Sequence, residues 1–176
     1  MHRSVFSIFR LFTPVCLIVV SLCGCGMQAE KKIISTITNE LYTCPNTEFS
    51  EAYKKEEYSS ISDPGVAIAI TEQNSPTMKY LSTVYKSLFS NSGYESFMAN
   101  AYASKYQISS IEKGWSSRVL TTDITLVSIS TFNFTCTIAM TTADGTSNEH
   151  KVSGTFEFDE SNTVRWFKEY NSFLVD

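Results

Sequence analysis

The hydrophobic pattern of this 176-residue chain changes its period at about residue 118. From there to residue 170, apolar and polar residues alternate with a period of two, which is the pattern of strands that bury one face. Asp144-Gly145 lies between two such runs, and this dipeptide is a strong signal for a hairpin turn. Because short connections join antiparallel neighbours, the pattern predicts a meander of about four strands.

The residues before this meander follow a helical pattern instead. Apolar side chains recur at three- and four-residue intervals over residues 33–42, 78–89 and 94–102. Cys44-Pro45 is expected to end the first of these helices, because proline cannot continue the hydrogen-bond ladder. Ser75-Pro76 is a typical start for the second helix, with serine as the cap and proline in the first turn.

A shorter helix around Phe49 is predicted to follow the proline, with Asn46 or Thr47 as its cap. Residues 66–70 form an apolar run that either packs as a linker or forms a brief strand. Helices that precede a half-buried sheet must cover its apolar face. The expected fold class is therefore α+β, a single domain over residues 33–176 with N-terminal helices packed on a curved antiparallel sheet.

The first 24 residues have the layout of a secretory signal. Arg3 and Arg10 give it a basic start without an acid, and an apolar run over Leu11–Leu22 follows. Twelve residues span only about 18 Å as a helix, which is short for a hydrocarbon core of about 30 Å. A cleaved signal is therefore favoured over the alternative, a short transmembrane anchor.

The end of this segment, Leu22-Cys23-Gly24-Cys25, resembles a bacterial lipobox, with an aliphatic residue at −3, a small residue at −1 and cysteine at +1. The resemblance implies a diacylglyceryl thioether on the Cys25 sulfur and cleavage between Gly24 and Cys25. Cys23 departs from the usual −2 residue but is small. Since each buried methylene contributes about 0.8 kcal/mol, two or three acyl chains such as palmitate anchor a protein firmly. We expect a lipoprotein on the extracytoplasmic face of the cell membrane, with residues 25–32 as its tether.

The order of elements over residues 30–172, helices first and antiparallel strands afterwards, resembles the NTF2-like domains of the cystatin-like superfamily. In that family, curved strands wrap around the longest helix as a cone. A helix-on-sheet layer of another topology is the alternative. An NTF2-like domain on a lipid anchor resembles accessory parts of bacterial conjugation or secretion assemblies, an analogy at the level of the fold.

The charge of the mature chain argues against nucleic-acid binding. Arg3 and Arg10 leave with the signal, so 12 of the 14 basic residues remain against all 18 acidic residues, and the net charge changes from −4 to −6. Proteins that bind nucleic acid neutralise phosphates with an excess of Lys and Arg. We expect the membrane and an envelope protein as partners, and no nucleic acid.

The mature chain offers few residues for catalysis or metal binding. His150 is its one imidazole, and an edge histidine beside the Asp-Gly turn is a better interpretation than the base of a nucleophilic site. The carboxylates show no metal-ligand spacing, and there is no CxxC pair and no glycine-rich phosphate loop. We expect no enzymatic activity, no cofactor and no metal.

Four residues are candidates for a pocket inside such a cone: Asp123, Trp115, Trp166 and His150. By simple alternation, Asp123 shares a face with Val119, and an acid on an interior face is costly unless it is paired. NTF2-like enzymes commonly place an acid inside the cone. Exposure of Asp123 at a bend or edge is the alternative, and core packing is the alternative for the two tryptophans.

Two cysteines, Cys44 and Cys136, remain besides Cys25 once the signal is removed. Each is interpreted as a small buried hydrophobe, and a disulfide between them is the alternative, since the compartment is oxidising.

The expected function is protein–protein contact by a membrane-anchored domain in the cell envelope. A carrier or sensor of a small apolar ligand is the first alternative, and an enzyme with an acid in the cone is the second. A packed interior favours the contact role, whereas an open apolar pocket of about 300 Å³ or more favours the carrier. An acid with a perturbed pKa in such a pocket would favour the enzyme.

Overall fold

The structure is a computed structural model that describes residues 27–59 and 75–174. The described residues form five helices: α1 (residues 27–42), α2 (Thr47–Ser59), α3 (Pro76–Tyr85), α4 (Asn91–Ala99) and α5 (Lys105–Lys113). The strands are β1 (Ser116–Ser128), β2 (Thr131–Thr141), β3 (Ser147–Phe158) and β4 (Val164–Glu169). The predicted signal, Cys25 and residues 66–70 lie outside the described residues.

The four strands form one antiparallel sheet in sequence order, β1-β2-β3-β4, as the alternating pattern predicts. The Asp144 carboxylate closes the predicted hairpin turn by accepting a hydrogen bond from the backbone N–H of Thr146 at 3.0 Å. Gly145 has a φ of 86°, a left-handed conformation that glycine adopts without steric cost. The α+β class and the order of helices before the sheet are confirmed.

Two helix starts are built as predicted. The Asn46 side-chain oxygen accepts hydrogen bonds from the backbone N–H groups of Glu48 and Phe49, at 2.9 and 3.1 Å. The Ser75 hydroxyl oxygen accepts one from the N–H of Met78 at 3.1 Å. These caps satisfy N–H groups that the first turn of a helix leaves without a partner.

Other helix boundaries differ from the prediction. Residues 27–32, expected as a tether, are helical and belong to α1. Helix α5 was not predicted, because its buried face carries the polar residues Gln107 and Ser110. The Gln107 amide donates to the carbonyl oxygens of Glu40 and Thr43, at 3.1 and 3.0 Å, so it satisfies the backbone where α1 ends.

The core lies between the helices and one face of the sheet, which we call the inner face. Tyr42 of α1 stacks on Phe134 of β2, with ring centroids 6.4 Å apart. Phe97 of α4 meets Phe167 of β4 edge-on at 5.5 Å. Helix α4 approaches β4 so closely at Gly93 that a Cβ there would collide with the backbone of β4, which explains a glycine in the first turn.

Strand β1 is irregular at two places, between Val119 and Thr121 and between Leu126 and Ser128, and the first is a one-residue bulge. Val119 pairs with Ile138 and Thr121 pairs with Thr137, so Leu120 has no partner on β2. An inserted residue moves every following side chain of the strand to the opposite face. Before the bulge, the odd-numbered residues Ser117 and Val119 are buried or half-buried. After it, the even-numbered residues Thr122 and Ile124 are the half-buried ones.

Strand β4 is irregular in the same way. Phe158 pairs with Val164 and Glu157 pairs with Trp166, so Arg165 is the extra residue. Val164 and Phe167 are buried as a result.

Candidate functional site

The four residues proposed for an interior pocket do not converge. Asp123 pairs with Thr135 and is exposed on the outer face of the sheet. Because Leu120 is an extra residue in the strand, Asp123 and Val119 lie on opposite faces of the sheet. The hypothesis of an acid inside the domain is therefore corrected, and the alternative, an exposed carboxylate, describes the structure.

Trp166 also lies outside the core. Its side chain is 40% exposed, because the extra residue at Arg165 gives the inner face to Phe167 instead. Its proposed role in lining an interior pocket is therefore corrected as well.

Trp115 and His150 do lie on the inner side, and both contact Phe173 near the C-terminus. The Phe173 ring centroid is 5.7 Å from Trp115, 5.9 Å from His150 and 4.5 Å from Tyr106. Phe173 is only 4% exposed. The space where an apolar ligand was considered is thus filled by the protein's own side chain, and Trp115 and His150 serve as packing partners.

A buried ionic cluster on the inner face was not predicted. Glu169 of β4, whose side chain is 4% exposed, accepts a hydrogen bond from the Tyr42 hydroxyl at 3.0 Å and from the Lys105 ammonium at 2.6 Å. The sequence feature that indicates this cluster is the acid at position 169, two residues after the apolar Phe167 in an alternating strand.

The role of this cluster is structural. Burial, with the Glu169 charge next to it, raises the pKa of Tyr42 well above its usual range. The phenol therefore stays protonated at neutral pH and acts as a donor rather than a base. Tyr42, Lys105 and Glu169 come from α1, α5 and β4, so the cluster joins three elements across the core.

The two cysteines are free thiols, and both are buried. The Cys44 sulfur lies 3.4 Å from the carbonyl oxygen of Leu41, and the Cys136 sulfur lies 3.4 Å from the Thr122 hydroxyl. Burial raises the pKa of Cys44 to about 12, so the reactive thiolate is scarce at neutral pH. The structure shows the buried-hydrophobe interpretation rather than the disulfide.

Within residues 27–59 and 75–174, no group of three or more His, Cys, Asp or Glu side chains is arranged to hold a metal ion. No helix in this described part is long and apolar enough to cross a bilayer.

An open groove of about 520 Å³ lies between helix α1 and the edge of strand β1. We call it the α1–β1 groove; its lining residues are Lys32, Ser35, Thr36, Asn39, Glu40, Val119, Leu120, Thr121 and Thr122. Lys32 and Glu40 stand eight residues apart on the helical wall, with the shorter Ser35, Thr36 and Asn39 between them. Sequence reasoning did not find this groove, because it is formed by two distant segments.

The strand wall of the groove is an edge of the sheet. Cys44 pairs with the start of β1, donating to Ser117 O at 3.0 Å and accepting from Ser117 N at 2.7 Å. Beyond Ser117, among the residues that the structure describes, β2 is the strand that pairs with β1. Backbone N–H and C=O groups directed away from β2 are thus available for another strand.

Comparisons with known protein families, with curated proteins and with solved structures found no match to this chain. The functional assignment therefore rests on the geometry of the groove and of the packed interior.

Proposed function

We propose that this chain is a lipoprotein of the cell envelope whose folded domain binds a partner protein through the α1–β1 groove. The observation that carries this proposal is the free edge of β1 beside the polar wall of α1. A strand edge offers a row of backbone donors and acceptors, and a groove built on such an edge binds an extended segment by strand addition. The partner contributes that segment.

The packed interior supports a contact role over a ligand carrier. Phe173 fills the region between Trp115, His150 and Tyr106. The groove itself is lined largely by hydroxyl, amide and charged side chains. Small-molecule sites are mostly apolar and enclosed, so a polar, open groove suits a peptide backbone better.

The lipobox resemblance supports the position of the groove near a membrane. Lys32, at one end of the groove, is seven residues from Cys25. Seven residues span at most about 25 Å. With a lipid on Cys25, the partner must therefore reach the groove close to the bilayer surface.

We also propose that the domain is an open variant of the NTF2-like fold. Helices precede an antiparallel meander, and α1 packs on its inner face through Tyr42, as that fold requires. By analogy with such domains, the partner class we propose is a component of a conjugation or secretion assembly.

The anchor is tested by labelling producing cells with a palmitate analogue and separating membranes from soluble material. Cys25→Ser is expected to abolish labelling and membrane attachment, whereas Cys23→Ser, two residues away in the same motif, is expected to keep both. Labelling that survives Cys25→Ser, or an unlabelled wild-type chain, would overturn the anchor.

The contact surface is tested by placing a photo-crosslinking amino acid at Thr36 in the groove of the full chain. Lys151, which is exposed on β3, is the matched control. Irradiation of intact membranes is expected to give a discrete protein adduct from position 36 and none from position 151. Equal adducts from both positions, or none from position 36, would contradict the proposed surface.

A further inference from the structure

Helix α1 and strand β1 run in opposite directions along one edge of the domain. At the end of α1, the Tyr42 carbonyl oxygen accepts a hydrogen bond from the Ser117 hydroxyl at 2.7 Å, at the start of β1. Ten residues earlier in the helix, Lys32 lines the groove formed with Val119–Thr122. The start of α1 is therefore directed toward the turn that joins β1 to β2.

The β1–β2 turn reaches further along this edge than the start of α1 does. Met27 precedes Tyr42 by 15 residues, which is a rise of about 23 Å along a helix. Ile129, in the turn, follows Ser117 by 12 residues, or up to about 40 Å along a strand. The turn therefore projects past Met27 by at most about 17 Å, and by less than that because β1 contains extra residues at its register shifts. Because Cys25 is only two residues before Met27, a lipid on its sulfur would leave the domain at this same end.

This end is unusually apolar for an exposed surface. Ile129 is 98% exposed, Val127 57%, Leu126 42% and Met27 38%. No charged residue occurs between Ile124 and Thr137. Exposed aliphatic surface is unfavourable in water, so a cluster of it marks a surface that another phase or molecule covers.

We propose that Leu126, Val127 and Ile129, which we call the tip patch, enter the interface of the bilayer that holds the lipid of Cys25. The domain then has two membrane contacts, one covalent and one made by side chains. This inference rests on the proposed function, because it takes the anchor at Cys25 from it.

The charges nearby define how the domain stands on the membrane. Lys31 and Lys32 are exposed in the first turns of α1 and suit anionic headgroups. Asp159 and Glu160 belong to the β3–β4 turn at the same end of the sheet, and the Phe158 N–H donates to Ser130 O at 2.8 Å, so this acidic turn lies beside the β1–β2 turn. For the tip patch to enter the interface without these carboxylates, the domain must stand with the β1 edge as the lower one.

The test uses the full lipidated protein in vesicles of phosphatidylcholine and phosphatidylglycerol. An environment-sensitive fluorophore is attached to Ile129→Cys, and in a matched variant to Ser147→Cys, which is exposed in the β2–β3 hairpin at the opposite end of the sheet. Cys44 and Cys136 do not compete for the label, because they are buried. Nitroxide-bearing phospholipids then serve as quenchers that act only from within the bilayer.

A side chain in the interface lies about 5–10 Å below the headgroup boundary, so we expect quenching at position 129 to be at least about three times that at position 147. Equal quenching at the two positions of a lipidated, vesicle-bound protein would overturn the tip contact and leave the anchor standing. A chain that never acquires lipid at Cys25 would overturn both, so the two failures are distinguishable.

Discussion

The Tyr42 hydroxyl donates a hydrogen bond to Glu169 over 3.0 Å and so ties the first described helix to the last strand of the sheet. The two residues are 127 positions apart in the chain. Glu169 accepts a second, charged hydrogen bond from Lys105. Because the carboxylate is almost completely buried, each donor offsets part of the cost of removing it from water.

Tyr42→Phe is expected to lower the free energy of unfolding by about 1.5–3 kcal/mol, because hydrogen bonds to charged groups contribute about that much. Urea denaturation measures the change. The control is Tyr53→Phe, which removes an exposed 3.4 Å contact from its hydroxyl to Glu112 and should cost less than about 0.5 kcal/mol. Equal losses in the two variants would contradict a stabilising role for the buried bond.

Phe173→Ala is expected to destabilise the domain by about 3–5 kcal/mol, since it removes a ring packed against four aromatic side chains. Leu174→Ala, at a half-buried neighbour, should cost less than half as much. Phe173→Ala is also expected to bind small apolar molecules such as benzene, because the apolar cavity that it leaves stays dry. Thermal shift with and without benzene checks this, and binding of benzene by the wild-type chain would show that the interior is already open.

The thiols of Cys44 and Cys136 are expected to resist alkylation at pH 7.5 in the folded protein and to react fully once it is unfolded. Burial of both side chains, and a Cys44 pKa raised to about 12, explain the resistance. Mass spectrometry after alkylation in denaturant counts the reacted groups. If alkylation required prior reduction, the two cysteines would be bonded and the buried-thiol interpretation would be wrong.

The β3–β4 turn is expected to lose stability in acid. The Thr163 hydroxyl and backbone N–H groups donate to Asp159 and lower its pKa below the usual value. A carboxyl whose pKa is lower in the folded state stabilises that state above the unfolded pKa, and this contribution is lost as the pH falls below about 4.

Asp159→Asn should therefore be less stable than the wild type at pH 7, by a few tenths to about 1 kcal/mol, and the gap should close as the pH falls toward 2. Urea denaturation at several pH values gives this difference in the free energy of unfolding directly. Glu160→Gln removes a charge from the same turn without touching these bonds, so it should show no comparable trend. A gap that stayed constant with pH would argue against an ionised Asp159 as the acceptor.

The features that could be predicted from the sequence are those determined by a few neighbouring residues. The Ser75 and Asn46 caps and the Asp144-Gly145 turn depend on contacts two or three residues apart, and the structure forms all three. The period-two runs likewise predict the strands, because one face of each is buried on the helices.

The faces of two strands could not be predicted, because a bulge has no strong local signal. One extra residue at Leu120 and one at Arg165 reverse the alternation that follows. Asp123 and Trp166 therefore lie outside, whereas Glu169 is a buried acid on the inner face. Its partner Lys105 is 64 residues away, and no local pattern could connect the two.

Hydrogen exchange tests the proposal that the α1–β1 groove is the contact surface. Backbone amides of Val119–Thr122 are compared between the protein in its native membranes and purified Cys25→Ser protein in dilute solution. These residues lie some distance from the tip patch, so protection there reports the groove rather than the bilayer. We predict slower exchange in the membranes for the amides that point away from β2, with β3 unchanged; identical exchange of Val119–Thr122 in the two samples would contradict the claim.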